Sequence, residues 1–229
     1  FDITVAPLVN LWGFGFKKGV TPSQNAIDSI HSFIGYEKVA LQKGHVIKQN
    51  PKTMLDCSAI AKGYGSDVVA KFLRAKGIKN FMIEIGGEIV VSGQSDKLKP
   101  WHIGINKPTD DSLNTNNELQ DILSITDCGM ATSGNYRNFY YKNGKKYAHT
   151  IDPKTGYPVQ HSILSATVVA KNCATADAFA TSFMVMGLDK AKEVLKKHPE
   201  LAAYLIYADD KGNNKVWYSP SMEKKLLTP

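Results

Sequence analysis

The chain has 229 residues, of which 43% are apolar and 21% are charged, and its formal net charge is +7 at pH 7. This length is enough to bury a sizeable core, and the composition excludes a disordered polypeptide. No stretch approaches the roughly 20 consecutive apolar residues of a membrane helix, so the chain as given is not predicted to span a bilayer.

The positive charge is carried almost entirely by lysine. Arg74 and Arg137 are the two arginines among 28 cationic residues, and the lysines are scattered in short pairs such as Lys196-Lys197. Proteins that read DNA bases usually rely on arginine, whereas scattered lysine is typical of a solvated surface. The sequence therefore argues against a nucleic-acid partner.

The first third of the chain predicts one strand and two helices. Residues 1–5 alternate as a strand does, and a chain that begins inside a strand suggests a missing upstream portion. Thr21-Pro22-Ser23 is a helix-start signal. A second helix is predicted within residues 58–76, with Gly77 at its C-terminal end. The apolar residues at helical spacing are Ala26, Ile27, Ile30 and Phe33 in the first helix, and Val68, Val69, Phe72 and Leu73 in the second.

The rest of the chain mixes strands and helices without regular alternation, which predicts an α+β fold. Two glycine-containing pairs join neighbouring strand patterns: Gly86-Gly87 predicts a backbone kink or a tight turn, and Asn143-Gly144 predicts a hairpin turn. Helices are predicted at 174–186 and 188–197, and a hairpin closes the chain. The predicted strands are 81–85, 88–91, 101–106, 122–126, 135–141, 145–151, 165–170, 203–208 and 216–218.

Cys57, Cys128 and Cys173 are widely spaced and odd in number. They form neither a metal-binding pattern nor a disulfide framework. We expect buried thiols, and cysteine usage leaves the cellular compartment open.

Two segments favour close contact between the backbone and an anion. Residues 56–65, with sequence DCSAIAKGYG, place small residues and Lys62 at a loop-to-helix junction, where backbone amides can bind phosphate. A plain helix start is the alternative. Gly86-Gly87 would permit close approach of a ligand, and a bulge or hairpin turn is the alternative there.

His149 and Asp177 are the side chains best suited to chemistry. His149 ends a predicted strand just before the turn-forming sequence DPKTG at 152–156, where it could act as a general base; a structural histidine is the alternative. Asp177 and Thr181 are four residues apart, so their oxygens project from one helical face and suit Mg²⁺. An Asp that favours the helix dipole is the alternative.

Taken in order, these segments resemble the ApbE family, the FAD:protein FMN transferases. The resemblance covers nearly the whole chain. The matching segments are 1–15, 56–63, 85–88, 131–134, 149–158 and 176–181.

The resemblance implies one α+β domain over residues 1–229, truncated at its N-terminus, with a mixed and largely antiparallel sheet packed with helices. The implied reaction is Mg²⁺-dependent transfer of FMN from FAD to a Thr or Ser hydroxyl of a target protein, with release of AMP. FAD is then a substrate. The implied acceptor is a subunit of an Nqr-type or Rnf-type complex or a related exported flavoprotein. The implied location is the periplasmic face of a membrane, as a lipoprotein.

The resemblance also implies roles for individual residues. His149 matches the proposed catalytic base. The Mg²⁺ ligands would be Asp177, Thr181 and the carbonyl of Ala59. Ala180 stands where some members have an acidic residue, which leaves one carboxylate fewer. The positions that would contact FAD are Phe1, Asp2, Asp56, Lys62, Gly86, Gly87 and Ile151.

Two other functions remain open from the residues alone. A Mg²⁺-dependent FAD pyrophosphatase would use the same groups with water in place of the protein hydroxyl, and would release FMN and AMP. A flavin-binding or storage protein would hold FAD without turnover.

Overall fold

The structure is a computed structural model that describes residues 1–15, 22–108, 118–135, 139–142 and 145–227. The chain divides into two compact units, one formed by Phe1–Cys57 with Asn138–Gln160 and the other by Ser58–Arg137 with His161–Pro229. No helix in the described ranges is long and apolar enough to cross a membrane.

The helices are α1 (Ala6–Leu11), α2 (Gln24–His31), α3 (Ala61–Ala75), α4 (Cys173–Met186), α5 (Leu188–Lys197) and α6 (Pro220–Glu223). The strands are β1 (Val39–Gln42), β2 (His45–Lys48), β3 (Phe81–Ile85), β4 (Glu88–Ser92), β5 (Trp101–Asn106), β6 (Leu119–Ile125), β7 (Cys128–Gly134), β8 (Phe139–Lys142), β9 (Lys145–Ala148), β10 (Ile163–Ala170), β11 (Ala202–Ala208) and β12 (Asn214–Tyr218). This mixture of helices and antiparallel strands confirms the predicted α+β class.

The smaller unit contains α1, α2 and two hairpins, β1–β2 and β8–β9. Its buried apolar core consists of Leu8, Trp12, Ile27, Ile34 and Ile151. The Trp12 indole N–H donates to the carbonyl of Gly156 over 2.7 Å, which ties α1 to the turn that follows β9. The Asn143-Gly144 turn predicted between β8 and β9 lies outside the described residues.

The strand predicted for residues 1–5 is wrong. The Asp2 carboxylate accepts hydrogen bonds from the Thr4 amide at 2.8 Å and the Thr4 hydroxyl at 2.7 Å, which closes a turn just before α1. A local side chain that binds nearby backbone competes with strand pairing. Helix α2 starts directly after the predicted signal, because Ser23 caps it and Pro22 precedes the cap. Thr21 lies outside the described residues.

The larger unit is built on a six-stranded sheet with the order β12-β11-β10-β7-β4-β3. All neighbouring strands in it are antiparallel. Successive residues of β10 point to opposite faces: Ala166 and Val168 lie in the cluster that contains α4, and Val169 in the cluster that contains β5 and β6. The sheet is therefore covered on both faces within this unit.

The β3–β4 hairpin confirms the turn interpretation of Gly86-Gly87. The two glycines have φ of 63° and 100°, and Ile85 pairs with Glu88 across the turn. Residues other than glycine rarely adopt such backbone angles, so the turn depends on these two glycines.

Helix α3 forms as predicted, with Gly77 after its C-terminus at φ 79°, but its buried face is not the predicted one. The buried residues are Gly63, Ser66 and Ala70. Of the predicted apolar face only Leu73 packs into the core, while Val68, Val69 and Phe72 are 48%, 40% and 58% exposed. The helix packs through its small residues because these allow its backbone to approach α4.

The three cysteines are free thiols. Cys128 and Cys173 are buried, as predicted, whereas Cys57 is exposed, so the prediction was wrong for that residue. Burial raises the pKa of Cys128 to about 11 and that of Cys173 to about 12.

Candidate functional site

Two glycines let α4 approach its neighbours in the larger unit. A Cβ on Gly63 of α3 would lie 2.5 Å from the Cys173 carbonyl oxygen, and a Cβ on Gly129 of β7 would lie 2.2 Å from the Cys173 amide nitrogen. Both distances are far shorter than real contacts. The first turn of α4 therefore rests directly on the backbones of α3 and β7.

Other residues serve the N-terminus of α4. The Asp67 carboxylate of α3 accepts hydrogen bonds from the first two amides of the helix, and both bonds are 2.9 Å long. The Asn172 side chain caps the helix by accepting from the Thr175 amide over 2.8 Å. Asp177 is the fifth residue of α4, beyond these contacts, so the helix-dipole interpretation of Asp177 is not supported.

Asp177 is a buried carboxylate, 3% exposed. Its Oδ2 accepts from the Gly63 amide over 3.1 Å. Burial raises the pKa of Asp177, while the Gly63 amide and the charge of Lys62 oppose that shift. One turn further along α4, the Thr181 hydroxyl lies 3.1 Å from the Ser133 hydroxyl of β7. A carboxylate and a hydroxyl thus lie one turn apart on α4.

Lys62 and Glu88 form an ion pair beside this carboxylate. Lys62 Nζ lies 2.7 Å from Glu88 Oε1, with Lys62 half exposed and Glu88 2% exposed. Burial raises the pKa of Glu88, Lys62 counteracts the shift, and the charge of Asp177 adds to it. A Cβ on Gly86 would lie 3.1 Å from Lys62 Cδ, so the turn of the β3–β4 hairpin packs against the lysine stem.

These groups can bind ions of both signs. Asp177 and Thr181 offer the hard oxygen atoms that Mg²⁺ prefers, and Mg²⁺ needs few protein ligands because it keeps water or phosphate oxygens. The described residues contain no group of three or more His, Cys, Asp or Glu that could enclose a metal ion. The oxygens of Asp177 and Thr181 could serve an open Mg²⁺ site, and the half-exposed ammonium of Lys62 could meet an anion.

The remaining predicted residues of the larger unit lie at its loops. Ala59 is half buried in the turn before α3, four residues ahead of Gly63. A Cβ on Gly87 would meet no atom of the described residues within 4 Å, so this glycine borders open space among them. The structure thus brings together Lys62, Gly86, Asp177 and Thr181 around α3 and α4.

The smaller unit holds the other five predicted residues. Asp2 and Asp56 lie on neighbouring backbone, because the Asp56 amide donates to the Ile3 carbonyl over 2.7 Å. Asp2 also accepts from the Tyr36 amide over 3.0 Å. The full set comprises Phe1, which is 43% exposed, Asp2 and Asp56, both half buried, Ile151, which packs in the core, and His149, which follows β9 and is half buried.

Comparison with known proteins agrees with these features. The model of the ApbE family matches residues 1–205. The chain belongs to the ApbE family.

Two relatives of the chain carry the same function name. The chain is 42% identical to the FAD:protein FMN transferase of Haemophilus influenzae, over 98% of this chain and 65% of that protein. It is 40% identical to the Vibrio cholerae enzyme of the same name, over 91% of this chain and 62% of that one. The chain therefore spans somewhat less than two thirds of these relatives.

Solved structures of the ApbE family share the fold. The flavin transferase ApbE from Vibrio cholerae matches 98% of this chain and 70% of its own, with a TM-score of 0.87 and 39% identity. The apo flavinyl transferase ApbE of Pseudomonas stutzeri matches 98% of this chain and 68% of its own, with a TM-score of 0.86 and 30% identity. The predicted ApbE-like α+β fold is confirmed.

Two residues that contact predicted ones were not predicted from the sequence: Glu88, which pairs with Lys62, and Ser133, which contacts Thr181. Both stand in segments that carry the family resemblance, yet no role was assigned to either. A signal was available for Glu88, since it is the one charged residue at the head of the apolar run Ile89-Val90-Val91. A charge in a strand that is otherwise buried needs a partner. No comparable signal marks Ser133.

Proposed function

We propose that the protein catalyses transfer of FMN from FAD to a Thr or Ser hydroxyl of an acceptor protein, with release of AMP. The observation that carries this proposal is the buried carboxylate Asp177, with Thr181 one turn further along α4 and the Lys62 ammonium acting on it. The activity named for the relatives at 42% and 40% identity supports it.

The proposed reaction needs charge neutralisation more than covalent help. The diphosphate of FAD carries two negative charges, and attack of a neutral hydroxyl on it is assisted by cations held in position. Asp177 and Thr181, with the Ala59 carbonyl, would hold Mg²⁺, which when bound supplies positive charge to the phosphate oxygens. Lys62 adds a second cation and orients the diphosphate.

His149 is proposed to accept the proton of the acceptor hydroxyl. Imidazole is the side chain that exchanges protons most readily near neutral pH. His149 directly follows β9, at the start of the loop that includes the turn closed by the Gly156 amide on the Asp152 carbonyl at 2.8 Å. The residues proposed to contact FAD are Phe1, Asp2, Asp56, Lys62, Gly86, Gly87 and Ile151.

The acceptor and the location are also part of the proposal. The acceptor would be a subunit of an Nqr-type or Rnf-type complex, or a related exported flavoprotein, with an exposed Thr or Ser. The protein would act at the periplasmic face of a membrane as a lipoprotein. The function name of the relatives supports a protein acceptor, whereas the acceptor class and the location are proposed from the family resemblance alone.

The test is a flavinylation assay. The protein is incubated with FAD, Mg²⁺ and a candidate acceptor, and the acceptor is weighed by mass spectrometry. A gain of one FMN is expected, and EDTA should abolish it. Free FMN and AMP without an adduct would show that the protein hydrolyses FAD and does not transfer FMN. Bound FAD without turnover would indicate a storage protein.

Asp177→Ala should abolish the metal-dependent activity, because it removes the only side-chain charge among the proposed ligands. Asp210→Ala is the matched control, since Asp210 is an exposed aspartate in the loop between β11 and β12. Full activity of Asp177→Ala would remove Asp177 from the metal site.

A further inference from the structure

Glu88 is a buried carboxylate to which the proposed function assigns no role. Its Oε1 accepts from Lys62 Nζ over 2.7 Å. Its Oε2 is buried and has no hydrogen-bond partner in the part of the chain that the structure describes. The residue is 2% exposed.

A contribution to the stability of the fold does not explain why this buried ion pair is present. A buried carboxylate loses its hydration, and attraction to one lysine often fails to offset that loss. The unpartnered oxygen adds to the penalty, because a buried acceptor without a donor forfeits the hydrogen bond that it had in water. A purely structural position would be better filled by an apolar side chain, as the following residues Ile89, Val90 and Val91 are.

The surroundings of the pair point to its use. Lys62 remains half exposed, so its ammonium has donors left after one is bound to Glu88. A Cβ on Gly86 would lie 3.9 Å from Lys62 Nζ and 3.7 Å from Glu88 Oε2, so both charged ends lie beside the glycine turn. The Ser66 hydroxyl donates to the Glu88 carbonyl over 2.9 Å, which anchors the first residue of β4 to α3.

We propose that Glu88 is a positioning residue for Lys62. The buried carboxylate binds one N–H of the Lys62 ammonium and holds it beside the Gly86 turn. The remaining N–H donors then face an incoming diphosphate. A free lysine has four rotatable bonds, and holding it in place before the ligand arrives reduces the entropy lost on binding. This inference rests on the proposed function, in which Lys62 meets the diphosphate of FAD.

The test is a double-mutant cycle read by FAD binding, followed by flavin fluorescence without turnover. The four proteins are the wild type, Lys62→Met, Glu88→Gln and the double variant. We expect each single change to weaken binding about tenfold, as befits one charge-assisted hydrogen bond. If Glu88 acts through Lys62, the double variant should bind no more weakly than Lys62→Met alone.

Matched controls separate this role from a general effect of charge. Lys107 and Glu118 form an exposed ion pair at 3.0 Å in the same unit, and Glu118→Gln should leave FAD affinity unchanged. Thermal unfolding shows whether each variant is folded. Should Glu88→Gln fail to fold, Glu88→Asp keeps the charge but shortens the side chain, and it should weaken binding in the same Lys62-dependent way.

The outcomes distinguish this inference from the proposed function. Unchanged affinity in Glu88→Gln, or losses that add fully in the double variant, would overturn the positioning role. If the wild type does not bind FAD, the proposed function fails, and the same cycle is measured with inorganic pyrophosphate as the probe. If the wild type binds neither FAD nor inorganic pyrophosphate, the positioning role of Glu88 and the proposed function are both overturned.

Discussion

Gly63→Ala tests whether the close approach of α3 and α4 forms the site. The added Cβ would lie 2.5 Å from the Cys173 carbonyl oxygen, 2.7 Å from its carbon and 2.9 Å from Ala174 Cα. All three are backbone atoms of the first turn of α4, so no side-chain rotation can relieve the clash. The helices would have to separate by about 0.9 Å to reach an ordinary contact of 3.4 Å.

The magnitude follows from two contributions. Overpacking of a tight contact typically costs about 1–3 kcal/mol. Separation of the helices would also lengthen the 3.1 Å hydrogen bond from the Gly63 amide to Asp177, and a hydrogen bond to a charged group contributes about 1.5–3 kcal/mol. The substitution also raises the free energy of unfolding by about 1 kcal/mol, because alanine favours the helix more than glycine does. We therefore expect the free energy of unfolding to fall by about 1.5–5 kcal/mol.

Gly65→Ala is the matched control, two residues further along the same helix. Among the described residues its Cβ would meet only the Ile85 Cδ1 atom, at 3.4 Å, which is the end of a flexible side chain. We expect this variant to be as stable as the wild type, or up to about 1 kcal/mol more stable. Urea denaturation followed by circular dichroism gives both free energies.

Two results would refute this reasoning. Gly63→Ala could unfold within about 0.5 kcal/mol of the wild type, which is the range of neutral surface substitutions. Alternatively, Gly65→Ala could be as destabilised as Gly63→Ala, which would show that helical glycines matter here for a reason other than contact with α4. Gly63→Ala should also weaken the proposed Mg²⁺ binding, because Asp177 loses its amide donor.

Three further predictions concern single side chains. Asp67→Asn should lower the free energy of unfolding by about 1–2 kcal/mol, because it weakens the contacts with the first two amides of α4; a change below about 0.3 kcal/mol in urea denaturation would contradict this. Ellman's reagent at pH 8 should titrate one thiol, that of Cys57, in the folded protein and three in denaturant, because Cys128 and Cys173 are buried with pKa values raised to about 11 and about 12; a second fast thiol would contradict their burial. Phe72→Gln should change the stability by less than about 0.5 kcal/mol, since the ring is 58% exposed, and a loss above about 1 kcal/mol would show that the ring is packed.

Local signals carried most of the fold prediction. The helix predicted at 188–197 coincides with α5, because a glycine precedes it and His198-Pro199 follows it. The strand predicted at 81–85 coincides with β3, because the two glycines that follow can only form a turn there. Such boundaries depend on residues that are adjacent in the chain.

Predictions failed where contacts distant in the chain decide the structure. The apolar stripe of α3 is largely exposed, because the helix packs by its smallest residues against α4, which lies more than 100 residues further along the chain. Periodicity identifies the large apolar residues of a helix but not the close approach of two backbones. Glu88 was missed for a similar reason, since its partner Lys62 is 26 residues away and the pair exists only once β4 lies beside α3.

Without a bound ligand, the buried carboxylates of the candidate site lower the stability of the folded protein. Asp177 and Glu88 are both buried, and the Lys62 ammonium acts on both. Burial raises the pKa of each carboxyl, so an excess of negative charge beside this ammonium costs free energy in the folded state. A divalent cation at Asp177 would remove that excess, and a ligand that binds the folded chain alone stabilises it by mass action. A buried charge imbalance of this kind gives a folded protein a physical reason to bind a cation, which the sequence pattern of Asp177 and Thr181 alone could not establish.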